Sequence, residues 1–558
     1  MNSRSFGVII LSAMPPADVA RIARRIHSEV PEARVCGVLY ERRPPKSFSK
    51  RIQSWIRSFR DASYPAYVAS RLYNAAARAV GKIGTGLLRF AHASPARPNG
   101  PSGFSLTDLA ELCNSTGAEL FVTRDMHLPE SLEFVRRVSP DLGIVYGTRV
   151  LKPELFDIPR NGSVNIHKRK VPDYRGGGPV GLWELLDNQT EIGITVHRVA
   201  AQLDAGAVVN DTTIPIEPYD NLTSLALKAD MVGNDLLVKT VADFARGSVH
   251  EKPQAGEGRM FRNPKAHDLR RLQKELASSR LVYRRVRRRS SLKLAVKTLV
   301  LAPYVILRNW YRRLYGGFPV VILYHHLVTD RPHRMGIPTE RFFDQVNFLK
   351  KYYKIVSLSE AIELLKTGKT KCPAVALTFD DGYAENFVNL RAVSEKTGIP
   401  VGFFVSTQKV EEQAEFDHDV KLGERGFLPM TWEQVRYLAA RGYVIGSHTR
   451  SHFNCRSSDA EKLQWEIMGS KQDLDAHLGQ PTTFFSFPWG HPADISPQAL
   501  QLSRTTYPYV ASACGGENFP ANGTKPWLLN RCTHTNDFWE LEMQLQAILN
   551  LRPEVVNQ

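Results

Sequence analysis

At 558 residues the chain has room for roughly three to five structural units, and 43% hydrophobic with 23% charged residues excludes a disordered tail or a fibrous repeat as its main content. The net charge of +17 is not spread evenly: residues 42–97 hold 12 Lys/Arg against one acid, Asp61, and residues 259–315 hold 17 against Asp268 and Glu275, so the rest of the chain is net acidic. Basicity confined to two segments points to an anionic partner for those segments, a membrane surface or a nucleic acid, and not to a basic globular body.

Six cysteines without a CxxC pair read as buried thiols, not as a disulfide framework or a thiolate metal site. Phe6–Leu11 is too short and too β-branched for a secretory core, and suits a first buried strand. No apolar run reaches the roughly 18 residues of a membrane span.

In chain order, a strand at 6–11 leads to a helix at 17–30 and a second strand at 35–40. The alternation resumes at 120–123, 129–138 and 142–146, which predicts an α/β, doubly wound parallel sheet. Residues 42–103 interrupt it as a basic insertion ending in a Pro/Gly/Ser-rich loop. Residues 211–262 read as a smaller β-containing tail of this domain. Residues 263–317 read as a basic, partly amphipathic linker, with an arginine run at 284–289 and an apolar stretch from Leu292 to Leu307. A second globular domain begins at 318 with the strand Val320–Tyr324 and runs to 558.

The second domain carries the sharper motif. Thr378-Phe379-Asp380-Asp381-Gly382 follows the apolar run 374–377. Adjacent carboxylates at the end of a buried strand are costly unless a cation or a reaction uses them. Downstream, Ser447-His448-Thr449-Arg450-Ser451-His452 places two imidazoles four residues apart, a spacing that can share one helical face. One carboxylate and two imidazoles can hold an ion with open positions, while the other carboxylate takes a proton from water.

These segments, with Val320–His325 and Phe487-Pro488-Trp489-Gly490, occur in an order that resembles the NodB-homology polysaccharide deacetylases over about 318–540. The resemblance implies a distorted (β/α) barrel that removes N-acyl groups from amino sugars. It implies Asp380 as general base, and Asp381, His448 and His452 as ligands of a divalent metal, usually zinc. Pro488 and Gly490 would shape the groove wall. Two departures stand out. The arginine that many members carry shortly before the Pro-x-Gly is absent from Thr483–Phe487. The late general-acid histidine has two candidates, His534 first and His491 second.

In the first domain, Asn165-Ile166-His167, the glycine-rich Pro172–Pro179, Gly193-Ile194-Thr195-Val196-His197 and Leu203-Asp204-Ala205-Gly206 follow in turn. Asn165 can donate to a developing oxyanion, His167 can move a proton, and Asp204 can orient it. With Pro140-Asp141-Leu142 and Leu151–Glu154, this run resembles the N10-formyltetrahydrofolate-dependent formyltransferases over about 1–40 and 104–262. That implies Asn165, His167 and Asp204 as catalytic residues and a formyltetrahydrofolate pocket near Tyr146 and Gly147. The charged stretch Lys168-Arg169-Lys170 departs from the family and favours an anionic substrate.

The two resemblances together lead to the expectation of a bifunctional amino-sugar enzyme of surface polysaccharide biosynthesis. One site would N-deacylate and the other formylate, acting on a nucleotide- or lipid-linked sugar. Two alternatives stand: one working domain beside a degenerate binding module, or an enzyme similar to methionyl-tRNA formyltransferase. The expected location is cytoplasmic and peripheral at the membrane face, with residues 259–315 as the anionic-surface contact and nucleic acid ranked below it.

Overall fold

The computed structural model describes residues 5–42, 104–279, 291–368, 370–519, 527–533, 535 and 538–546. The basic insertion, the 284–289 arginine run and His534 lie outside the described residues. Residues up to 279 belong to one compact unit and described residues from 291 onward to a second.

The first unit is built on a seven-stranded sheet: β1 (Phe6–Ser12), β2 (Ala33–Glu41), β3 (Glu119–Thr123), β4 (Leu142–Tyr146), β5 (Ser163–His167), β6 (Glu191–Arg198) and β7 (Val208–Pro215), in the order β3-β2-β1-β4-β5-β6-β7. The pairs up to β4–β5 are parallel; β5–β6 and β6–β7 are antiparallel. A strand buried on both faces must be apolar on both, and β1 shows it. Val8 and Ile10 join one core cluster, while Ile9 and Leu11 join the opposite one.

Helix α1 (Pro16–Glu29) starts on a proline and buries Val19, Ile22, Ala23 and Ile26. Helix α2 (Leu106–Thr116) starts on a Ser105–Asp108 capping box. Helix α3 (Pro129–Val138) packs Phe134 and Val135 into the other cluster.

Two expectations are corrected here. The predicted β-containing tail at 211–262 includes a 24-residue helix, α4 (Leu222–Ala245), capped by Asn221. The start of the predicted linker is helix α5 (Ala266–Ser279), and Leu272 is buried in the first core with Leu269 and Leu276 against it. Its apolar spacing suited a free amphipathic helix equally well, and packing decided the matter.

The second unit begins with helix α6 (Ser291–Tyr315). Its sheet comprises β8 (Val320–His325), β9 (Lys354–Val356), β10 (Ala374–Phe379), β11 (Gly402–Val405), β12 (Val444–Ser447), β13 (Phe484–Ser486), β14 (Tyr509–Ala511), β15 (Leu528–Leu529) and β16 (Arg531–Thr533). The order is β15-β14-β13-β12-β11-β10-β8-β16, with β9 also on β10, and every pairing is parallel. The two ends of that path, β15 and β16, are consecutive pieces of one segment with only Asn530 between them. One kinked segment therefore pairs with β14 and with β8 and draws the sheet into a distorted barrel. Loops at the carboxyl ends of such strands gather functional side chains.

Candidate functional sites

In the second unit, Asp380 and Asp381 directly follow β10, whose apolar run ends at the barrel mouth. Both are buried, and Asp381 and Gly382 turn the chain with positive φ of 70° and 82°. His448 follows β12, and His452 reaches the same point. They do not share a helical face: residues 448–452 form an irregular turn in which Thr449 and His452 have φ of 61° and 60°. That turn brings the two rings to 5.1 Å. His452 Nε2 lies 3.1 Å and His448 Nε2 3.5 Å from Asp381 Oδ1.

Two observations test whether a divalent cation fits. His448 Nδ1 donates to the Ser486 carbonyl at 2.8 Å, which leaves the Nε2 lone pair facing Asp381. Both oxygens of the fully buried Asp381 lack a hydrogen bond, an expensive arrangement without a cation. Burial works against ionisation of Asp381, yet the facing His452 and His448 imidazoles hold its carboxyl well below the usual carboxylate range. The residues fit the ion.

A second cluster, His333, Asp419 and Glu424, has comparable spacing but the wrong tautomer. His333 Nδ1 accepts from the Met335 amide at 3.1 Å, so Nε2 carries the proton and points at Asp419 and Glu424, both at 3.2 Å. It is a hydrogen-bonding histidine.

The missing arginine is present, on another strand. Arg531 on β16 is 1% exposed and grips Asp380 with both terminal nitrogens, Nη1–Oδ1 at 2.7 Å and Nη2–Oδ2 at 2.8 Å. It also donates to Ser486 Oγ at 2.6 Å and to the Ser512 carbonyl at 3.1 Å, and lies between the Tyr324 and Phe404 rings. Burial would raise the Asp380 pKa, but the Arg531 guanidinium wins and holds the carboxyl below its ordinary value. Sequence reasoning sought the arginine next to Pro488 and missed it. Its only local signal is Asn530-Arg531-Cys532, a charge at the start of a short strand whose next residue, Cys532, is buried.

At the Pro-x-Gly the side chain that reaches the site is Trp489, 46% exposed, its ring 4.6 Å from that of His452. Pro488 and Gly490 make the turn beneath it, the Gly490 amide donating to the Pro488 carbonyl at 2.7 Å. His491 is exposed.

In the first unit, Asn165 and His167 lie on one face of β5, and antiparallel register sets His197 of β6 directly opposite Asn165. Asp204 sits in the β6–β7 loop with φ of 51°. That loop folds tightly because residue 206 is glycine: a Cβ there would fall 1.9 Å from the Arg198 carbonyl oxygen. His167 Nδ1 stands 3.7 Å from Asp204 Oδ2, and its Nε2 donates to the Tyr174 carbonyl at 2.7 Å. Burial keeps His167 below the ordinary histidine range.

Burial also opposes ionisation of Asp204. The neighbouring His197 and His167 imidazoles and a 3.0 Å bond from the Gly176 amide overcome it and lower its pKa. The sequence motif contained His197 without a role for it. His197 Nδ1 donates to the Arg198 carbonyl at 2.8 Å, so Nε2 can accept from Asn165 Nδ2 at 3.3 Å. Asn165 thus keeps a second N–H for a substrate oxygen.

His167 opens on a cavity of ≈ 190 Å³ that Tyr146, Gly147, Met14 and Val180 also line. Tyr146 Oη is committed to Asn234 at 3.0 Å, so only the rest of that residue faces a ligand. The charged stretch Lys168-Arg169-Lys170 already has partners within the protein. Arg169 is buried and holds the Gly177 and Pro179 carbonyls at 3.1 and 2.7 Å, Lys168 pairs with Asp230, and Lys170 stands 3.8 Å from Asp173.

Comparison with known proteins finds a family match in each unit. Residues 98–241 match the family model described as formyl transferase, and residues 367–508 the model described as polysaccharide deacetylase. The chain thus carries one stretch similar to formyl transferases and another similar to polysaccharide deacetylases, two families of enzymes. A methionyl-tRNA formyltransferase of Listeria monocytogenes is 33% identical over 182 residues, which are 32% of this chain and 56% of that protein. The chain thus spans about half the length of the curated relatives it matches.

Among solved structures, IcaB from Ammonifex degensii is 23% identical, covering 41% of this chain and 97% of its own, with a TM-score of 0.35. A sugar N-formyltransferase from a Shewanella species is 12% identical, covering 48% and 87%, with a TM-score of 0.30.

Proposed function

We propose that the chain exchanges acyl groups on amino sugars of a surface polysaccharide pathway, hydrolysing an N-acyl amide in the second unit and formylating an amine in the first. The observation that carries this reading is the presence in one chain of an Asp-Asp-His-His cluster with a buried arginine, suited to acyl hydrolysis, and an Asn-His-Asp cluster suited to acyl transfer. The first liberates the amine that the second consumes.

In the second unit a divalent ion held by Asp381, His448 and His452, zinc being our choice, would polarise the acyl oxygen and acidify a water. Asp380, ionised beside Arg531, accepts a proton as the water oxygen attacks the amide carbon. Arg531 keeps both carboxylate oxygens aligned while the charge moves. The C–N bond then breaks, and the leaving nitrogen needs a proton from an acid, for which His534 is the first candidate. Trp489 offers an apolar face for a sugar ring.

In the first unit the acceptor nitrogen attacks the formyl carbon of N10-formyltetrahydrofolate. The second N–H of Asn165 stabilises the oxyanion. His167, beside Asp204, takes the proton that the amine sheds and returns it to N10 as the bond between the formyl carbon and N10 breaks. The cavity bounded by Tyr146 and Gly147 is the proposed seat of the reacting end of the donor.

Separate Asp380→Ala and His167→Ala variants test the reading against an N-acetyl and a free-amine nucleotide sugar, with N10-formyltetrahydrofolate supplied. Each variant is expected to lose one activity and keep the other. A variant that kept both would sink it. A second reading, formyl transfer to an aminoacyl-tRNA, is favoured by the relatives named above, and a preference for charged initiator tRNA over amino sugars would establish it instead.

A further inference from the structure

Helix α6 is held to the second unit by one side. Val305 and Asn309 are buried, Asn309 Nδ2 donates to Gln546 Oε1 at 3.0 Å, Arg308 Nη2 to the Gln546 carbonyl at 3.0 Å, and Arg312 pairs with Glu517 at 3.7 Å. These contacts fix the helix's rotation and turn the opposite side outward. There Val300, Tyr304, Leu307, Tyr311 and Leu314 recur at helical spacing, joined by Trp310 and Tyr315, all between 53% and 72% exposed. Phe519, against the Arg312 guanidinium, is 52% exposed and widens the patch. A contiguous apolar face of this size marks an interaction surface.

Its chemistry selects the partner. Four of the seven helix residues are Tyr or Trp, side chains with an apolar body and a polar tip that settle at a lipid–water boundary. The surrounding sequence carries no acid from 276 to 329, while Lys293, Lys297 and Arg313 lie in the helix in addition to the packed Arg308 and Arg312. Apolar contact together with one-signed positive charge complements an anionic bilayer surface. RNA would leave Val300, Leu307 and Leu314 without a use, and a second copy would bring the same positive charge against itself. No described helix is long and apolar enough to cross a membrane.

We propose that the outer face of α6 lies in the headgroup layer of an anionic membrane and docks the second unit there peripherally. The test uses the full-length chain with phosphatidylcholine vesicles, with and without phosphatidylglycerol. Co-sedimentation with the anionic vesicles is expected, and Leu307→Glu with Leu314→Glu should weaken it by about tenfold or more. Both positions are solvent-facing, so the fold should survive, and far-UV circular dichroism checks this. Independently, brominated lipids should quench Trp emission in the unmodified protein and do so less in Trp310→Phe. Failure of the full chain to bind, unchanged binding by the double variant, or loss of a solution dimer in that variant with vesicle binding intact would overturn the proposal.

Discussion

Asp380 and Asp381 are neighbours in sequence with opposite environments. Asp380 is gripped by a guanidinium; Asp381 faces imidazole nitrogens with no hydrogen bond to either oxygen. This split supports the proposed roles of Asp380 as base and Asp381 as ligand. Arg531→Met should raise the Asp380 pKa, because the charge that lowers it is gone. The acid limb of the deacylation pH–rate profile should then move to higher pH. Breaking a buried ion pair by removing one partner should also cost about 3–5 kcal/mol of stability, measured by denaturant unfolding. Arg531→Lys keeps the charge without the bidentate grip and should fall between the two. Loss of the base itself, in Asp380→Ala, should lower kcat by about 10²–10⁴-fold. In the first unit, His167 is depressed by burial, so it stays neutral at pH 7. The acid limb of the transfer pH–rate profile should accordingly lie on the low side of the ordinary histidine pKa.

At the scale of elements, apolar periodicity is sufficient where an element buries one or two full faces. The strands β1, β2, β4 and β10 and the helices α1 and α3 stand where their apolar patterns place them. It was insufficient for α5, whose amphipathic pattern is the same whether it spans a gap or packs on a core. Leu272→Ala should therefore destabilise the first unit by about 2–5 kcal/mol, read as a lowered Tm of transferase inactivation. A true linker would show no change. Loops decide the catalytic geometry. Gly206→Ala should displace the Asp204 loop, since its Cβ would overlap the Arg198 carbonyl. Formyl transfer should drop while deacylation stays intact.

For the whole molecule, the sites depend on different chemistry and should respond separately. A chelator should abolish deacylation and leave formyl transfer unchanged, assayed on one preparation, with activity restored by added zinc. By itself the sequence indicated two α/β folds and the order of their strands along the chain, and it singled out Asn165, His167, Asp204, Asp380, Asp381, His448 and His452, which the structure gathers into two groups. Local motifs at strand ends carry that information within a few residues. Only the tertiary structure decided that Arg531 belongs to Asp380, 151 positions away, that His197 supports Asn165, and that Arg169 serves the glycine loop. Such partners meet because strands distant in sequence are neighbours in a sheet, and no local pattern records which strand that will be.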